Sequence, residues 1–166
     1  NLCLTLEYDG TDFRGWQVQP DQRTVQGEVE RALARLFGGP IRVTAAGRTD
    51  TGVHALGQVM NFPADDGLSV AEVCRALNGL LPSDVVVTAG REVHPDFNAR
   101  RHAVLREYEY RIARALTAAG RRYAWCYRGD LDLPAMRDAA SRLVGRRDFR
   151  SFCVAARERD NHVCTV

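Results

Sequence analysis

Ile41-Arg42-Val43-Thr44-Ala45-Ala46 and Gln58-Val59-Met60-Asn61-Phe62 are two short apolar runs, and between them lies Gly47-Arg48-Thr49-Asp50-Thr51-Gly52-Val53-His54-Ala55. Both flanks read as strands, Ile41 to Ala46 and Gln58 to Phe62, so the middle of the first hundred residues is a strand–loop–strand unit. The connecting segment carries an arginine, two threonines, an aspartate and a histidine, more functional groups than an ordinary turn needs. Gly47 and Gly52 allow backbone conformations that strain other residues, and rigid strands on both sides suit the fixing of Asp50 in one place. By its local composition the segment reads either as an active-site loop that holds Asp50 or as a glycine-containing connection with a solvated aspartate.

Working outward, Leu2, Leu4 and Leu6 alternate with Cys3, Thr5 and Glu7, which predicts an opening strand with one apolar face. Asp9 to Arg23 is a polar loop in which Phe13 and Trp16 read as packing anchors, while Arg14 and Gln17 are within reach of a ligand. Thr24 caps a helix whose apolar stripe is Val25, Val29, Leu33, Leu36 and Phe37, stopped by Gly38-Gly39-Pro40. On the other side of the loop, Ser69 and Glu72 form a capping box for a second helix carrying Val70, Val73, Leu77 and Leu80, with Pro82 past its end. Val85 to Val87 then begins another strand.

The order strand, helix, strand, strand, helix, strand predicts an α+β fold of the ferredoxin-like kind, two helices on one face of an antiparallel sheet, over residues 1–102. From 103 to 166 the pattern starts over. Ala103 to Ala113 reads as a strand with Val104, Tyr108, Tyr110 and Ile112 on one face. Asp132 caps a further helix with Met136, Ala139, Ala140, Leu143 and Val144 inward and Gly145 as its stop. The residues beyond Gly145 are too few to complete a second copy, so the expectation is an incomplete second half.

The chain has 166 residues, enough for a real core, and a net charge of +2 from 23 basic and 21 acidic side chains. That sum is too small to dictate a partner, but the arginines are clustered: Arg100, Arg101 and Arg106, then Arg121 and Arg122, then Arg146 and Arg147. Guanidinium forks suit phosphates and stack on bases, which fits RNA, and an ordinary solvated surface accounts for such pairs equally. Five scattered cysteines argue against a disulfide framework, and with no Cys-x-x-Cys or His-x-x-x-His pair a structural zinc site has no support. The dispersed His54, His94, His102 and His162 read as ordinary histidines unless the fold brings them together. No apolar run approaches the roughly 20 residues that span a bilayer, so the expected setting is reducing and cytoplasmic, away from membranes.

A longer ordered set of motifs sharpens the reading of Asp50. It runs Glu7-Tyr8-Asp9-Gly10, Gly15-Trp16-Gln17-Val18-Gln19, Thr24-Val25-Gln26, Gly47-Arg48-Thr49-Asp50, Gly52-Val53-His54 and Gly57-Gln58-Val59. Phe97-Asn98-Ala99-Arg100, Arg106-Glu107-Tyr108-Glu109-Tyr110 and Gly145 with Asp148-Phe149-Arg150-Ser151-Phe152 come next. In this order the chain resembles the TruA-type tRNA pseudouridine synthases along essentially its whole length.

The resemblance implies an isomerase that converts uridine to pseudouridine in the anticodon stem-loop of tRNA, at nucleotides 38–40, without a redox cofactor or metal. It implies tRNA as partner and a homodimer as the assembly. Asp50 corresponds to the catalytic carboxylate and Tyr108 to the tyrosine that lines the uracil pocket, while Arg48, next to the loop, is a candidate for filling the space of the flipped base or clamping phosphate. Arg14, Arg100 and Arg101 are further candidates for phosphate contacts. Aspartate is ionised at neutral pH (reference pKa about 3.9), as either a nucleophile at C1′ or C6 or a base at the ribose requires. In the family two halves face each other across a basic cleft, and later residues of the second half that serve the pocket have no counterpart here. A second reading, from a different class, is a non-catalytic RNA-binding module or an inactive fragment of such an enzyme.

Overall fold

Period-two alternation places Leu2, Leu4, Leu6 and Tyr8 on one face of the first strand, and all four are buried. This strand, β1 (Leu2–Tyr8), is interior to a four-stranded sheet in a computed structural model that describes residues 1–64, 67–153 and 162–166. On one side β1 pairs antiparallel with β3 (Ala55–Phe62), on the other with β4 (Val85–Glu92), and β2 (Thr44–Ala45) continues the sheet beyond β3. The order β2-β3-β1-β4 separates each helix-linked pair of strands by one intervening strand, the split βαβ topology that the element order predicts.

Helices α1 (Val25–Phe37) and α2 (Val70–Leu80) cover the leucine face. Val25, Val29 and Leu33 from α1 meet Val73 and Leu77 from α2 and Leu4, Leu6, Met60 and Phe62 from the sheet in one core, with Leu36, Phe37, Val70 and Leu80 packed at its rim. Phe13 and Trp16 are also buried, so the polar loop is pinned by its aromatics. Arg23 closes that loop: its guanidinium lies over the Phe13 ring, 4.1 Å from the centroid, and donates two hydrogen bonds of 2.8 and 2.9 Å to Asp84.

Local signals fix the helix ends. Thr24 Oγ1 accepts the Gly27 N–H, and Gly38 at φ 73° ends α1 in the left-handed conformation. At α2 the capping box is complete, with Glu72 N–H donating to Ser69 Oγ and the Glu72 carboxylate accepting from the Ser69 N–H and hydroxyl. Ser69→Ala removes the side-chain acceptor at an exposed site. It is expected to lower stability by about 1 kcal/mol, read as a lower urea midpoint at unchanged slope.

Three segments differ from the sequence reading. The strand expected over Ile41–Ala46 is reduced to Thr44–Ala45, with the Ala46 N–H still bonded to the Val59 carbonyl (2.8 Å); on the outer side of this edge strand the Val43 N–H donates to Glu30 Oε1 (3.1 Å) and Arg42 pairs with Glu30 Oε2 (2.8 Å). A carboxylate on α1 thus ties the run to the helix and satisfies an edge donor that no strand faces. Of the strand expected over Ala103–Ala113, only β5 (Ile112–Ala113) is in a ladder, with β6 (Trp125–Cys126). Val104, Tyr108 and Tyr110 are exposed. The third helix, α3 (Leu133–Ser141), is capped as expected by Asp132, which accepts the Ala135 N–H, but it has no buried residue among those described. It also ends before Gly145, whose N–H donates to the Val166 carbonyl at 2.8 Å and so opens a ladder between β7 (Arg146–Asp148) and β8 (Val163–Thr165).

By contact the chain divides into two units, one of Asn1–Arg111 with Ala118–Trp125 and one of Ile112–Thr117 with Cys126–Val166. The first contains the four-stranded sheet, both covering helices and the Asp50 loop. The second contains α3 and the β7–β8 ladder. Among the described residues, no helix is long and apolar enough to cross a membrane.

Candidate active site

The Asp50 loop leaves the sheet at β2 and returns at β3, and backbone bonds clamp it from the side of the Asp9–Arg23 loop. Trp16 N–H donates to the Thr49 carbonyl (2.9 Å) and Gly52 N–H to the Phe13 carbonyl (3.3 Å). Gly15 sits at φ 83°, and a Cβ there would lie 2.6 Å from the Thr49 oxygen and 3.2 Å from the Asp50 carbonyl carbon. Only glycine permits both that conformation and that approach. From below, the buried Tyr8 hydroxyl shares a 2.8 Å hydrogen bond with Thr49 Oγ1, and Gln58 Nε2 donates to the Gly47 carbonyl at 2.7 Å. Burial pushes the Tyr8 phenol up, so this contact is made by a neutral hydroxyl.

On this clamped frame the Asp50 side chain is exposed, and its carboxylate has no hydrogen-bond or ion-pair partner among the described residues. The backbone of Asp50 is engaged, accepting the Val53 N–H at 3.2 Å. The arrangement is a fixed main chain presenting an acceptor whose lone pairs are available to a ligand. Arg48, two residues earlier, is likewise exposed and unpaired among the described residues.

Tyr108 lies beside the same loop. Its hydroxyl is 3.8 Å from the position a Cβ on Gly47 would take, and the segment carrying it is fastened by Arg106. The Arg106 guanidinium donates through Nε and Nη2 to the Ala46 carbonyl (2.9 and 2.7 Å), and Nη2 also reaches the Arg100 carbonyl (3.2 Å). This side-chain fork holds the 103–111 segment where a ladder was expected. Arg14 is exposed on the loop that buttresses Asp50, while Arg100 and Arg101 belong to a turn in which Asn98 Oδ1 accepts both of their N–H groups. Arg100 is linked to the loop edge through Arg106, whereas the Arg101 bonds among the described residues run to Asn98.

Sequence reasoning passed over a second cluster on the return side of the loop. The pairing of Tyr8 with Ala55 in the β1–β3 ladder sets Asp9-Gly10 against Val53-His54. Gly10 N–H donates to His54 Nδ1 (3.1 Å), which leaves the proton of a neutral ring on Nε2, facing the Arg122 carbonyl at 2.9 Å. Asp9 Oδ1 lies 3.1 Å from the same Nδ1 and accepts from the Thr11 hydroxyl (2.6 Å) and N–H (3.0 Å), while Oδ2 accepts from the Tyr123 hydroxyl at 2.8 Å. The Thr11 hydroxyl bond is the largest of the effects that bring the Asp9 carboxyl from the ordinary 3.8 to about 2. The signal was present in the two motifs Asp9-Gly10 and Val53-His54, but only the strand register makes them neighbours.

A carboxyl whose folded pKa is depressed stabilises the fold above its unfolded pKa and loses that contribution as pH falls through the folded value. The stability difference between the native protein and Asp9→Asn is therefore expected to be full above about pH 4 and to shrink as pH falls towards 2. Thermal midpoints of the two proteins across that range check it, and a gap independent of pH would be the contrary result.

One unit thus contains a presented carboxylate, a tyrosine beside its loop, and Arg48 and Arg14, whose side chains are exposed and without a partner among the described residues. Residues 5–100 match the family profile described as tRNA pseudouridine synthase. Over 99% of its length the chain is 47% identical to the tRNA pseudouridine synthase A of Geobacillus sp. (strain WCH70), covering 68% of that protein. It is 46% identical to the enzyme of the same name from Halalkalibacterium halodurans over 99% of its length, covering 64% of that relative. With that of Moorella thermoacetica it shares 49% identity over 93% of its length and 64% of the relative's. The chain thus spans about two thirds of the length of these curated relatives. Profile and relatives agree along the segments that build the Asp50 loop and its supports, and the chain belongs to the tRNA pseudouridine synthase family.

Proposed function

We propose that the protein isomerises uridine to pseudouridine in the anticodon stem-loop of tRNA, with Asp50 as the catalytic carboxylate. In this reaction the bond from N1 of uracil to C1′ breaks, the base turns, and C5 bonds to C1′ while the proton on C5 leaves and N1 gains one. Atoms and oxidation state balance within the substrate, so the chemistry asks for a carboxylate beside the sugar and a pocket that retains the detached base. The observation that carries the reading is the exposed Asp50 carboxylate, without a partner among the described residues, on a main chain clamped by Trp16, Phe13, Tyr8 and Gln58.

Tyr108 offers a ring to stack on uracil and a hydroxyl towards the Gly47 edge. Extracting the base from its stack costs on the order of a few kcal/mol, which Arg48 offsets by occupying the vacated space or holding the adjoining phosphate. Arg14, Arg100 and Arg101 supply further phosphate contacts, giving binding that weakens with salt. The same reading makes the working assembly a cytoplasmic homodimer. The test is release of tritium from C5-labelled uridine in tRNA carrying uridine at the anticodon stem-loop positions. Release matched by pseudouridine in the digested RNA is expected, and none with folded, unmodified tRNA would refute the activity.

A further inference from the structure

Residues 118–125 are held against the return side of the Asp50 loop by contacts unusual for a surface turn. The Tyr123 hydroxyl donates to Asp9 Oδ2 at 2.8 Å, and the Tyr123 ring lies 4.9 Å from the His54 ring. The Arg122 carbonyl meets His54 Nε2 at 2.9 Å. Inside the segment, Tyr123 N–H donates to the Gly120 carbonyl (3.0 Å) and Arg121 Nη1 to the Ala118 carbonyl (2.6 Å), so the turn is braced by its own atoms. Arg121 commits one guanidinium nitrogen to that brace. Arg122 is exposed, and its guanidinium has no partner among the described residues.

We infer that residues 118–125 form a second RNA-contacting element, docked beside the Asp50 loop by Asp9, His54 and Tyr123, in which the Arg122 guanidinium holds a backbone phosphate of the substrate. The inference rests on the tRNA-modifying reading of the Asp50 site. His54 belongs to the loop that presents Asp50, so its bond to the Arg122 carbonyl fixes the start of the Arg122 side chain relative to the carboxylate. Among the described residues Arg122 makes no ion pair with Asp9, whose oxygens accept from Thr11 and Tyr123. A guanidinium fork fits phosphate bidentately, and holding its backbone in place before binding lowers the ordering cost of the complex.

The experiment measures tRNA affinity and its salt dependence for the full chain and three variants: Arg122→Gln, Tyr123→Phe and the double substitution. Arg122→Gln is expected to weaken binding by about three- to tenfold near 0.1 M salt and to reduce the slope of log K against log salt by about 1. Tyr123→Phe keeps the ring and the His54 contact but removes the bond to Asp9, so it is expected to give a smaller loss of the same kind, with the double variant no more than about twofold weaker than Arg122→Gln alone. Three results would each overturn the inference: unchanged affinity in Arg122→Gln, weakened affinity at unchanged salt slope, or losses that add fully in the double variant. Pseudouridine formation is assayed on the same unsubstituted preparation. Its absence would remove the proposed activity, whereas an active protein indifferent to Arg122→Gln would remove only this element.

Discussion

Asp50→Asn is expected to reduce pseudouridine formation by at least about 10²-fold, the scale on which loss of an essential acid–base or nucleophilic group is felt. The substitution preserves shape and removes charge. Because the wild-type carboxylate has no partner among the described residues, no hydrogen bond or ion pair of the fold depends on it, and the thermal midpoint is expected to stay within a degree or two of wild type. Tritium release under single-turnover conditions, beside tRNA binding for the same protein, separates chemistry from recognition. Binding near the wild-type value with the rate collapsed is the expected pair of results. A variant that kept more than a few per cent of the rate would take Asp50 out of the reaction.

Gly10→Ala is expected to damage both stability and catalysis without touching a substrate-facing group. A Cβ on Gly10 would collide with the Val53 carbonyl oxygen and lie 2.5 Å from its carbon. Both neighbours are main-chain atoms of the Asp50 loop and neither has a rotamer to change, so the loop itself must shift. The Gly10 N–H bond to His54 and the Phe13 N–H bond to the Gly10 carbonyl are strained together. The expected cost is about 3 kcal/mol, at the upper end for overpacking, with a fall in kcat of about 10²-fold from a misplaced carboxylate. Gly57→Ala is the control, since nothing lies within 4 Å of its Cβ position. Urea midpoints and single-turnover rates for the two variants decide the matter, and equal stability in both would contradict the close packing of Gly10 on the loop.

Much of the first unit was legible because its determinants are local. A threonine or serine cap acts within three residues, as Thr24 does on Gly27 and Ser69 on Glu72, and the alternation of Leu2, Leu4 and Leu6 needs only the pleat of one strand. Once those elements stand in the order strand, helix, strand, strand, helix, strand, few right-handed topologies remain, and the observed sheet order is the expected one. The Asp50 loop was legible as chemistry because its polar residues are contiguous.

The sequence by itself determined the α+β class, the two capped helices and their buried stripes, the aromatic anchors Phe13 and Trp16, and the segment that presents Asp50. Tertiary structure alone decided whether an apolar run joined a ladder. The run at Ile41–Ala46 kept only two ladder residues, its outward Val43 N–H bonded to Glu30, and Arg106 held the 103–111 segment by a side-chain fork instead of strand pairing. It alone also assembled Asp9, His54 and Tyr123 into one cluster. Hydrogen bonds of this kind join residues tens of positions apart, and their partners are set by sheet register and chain return, which no pattern within a single segment encodes.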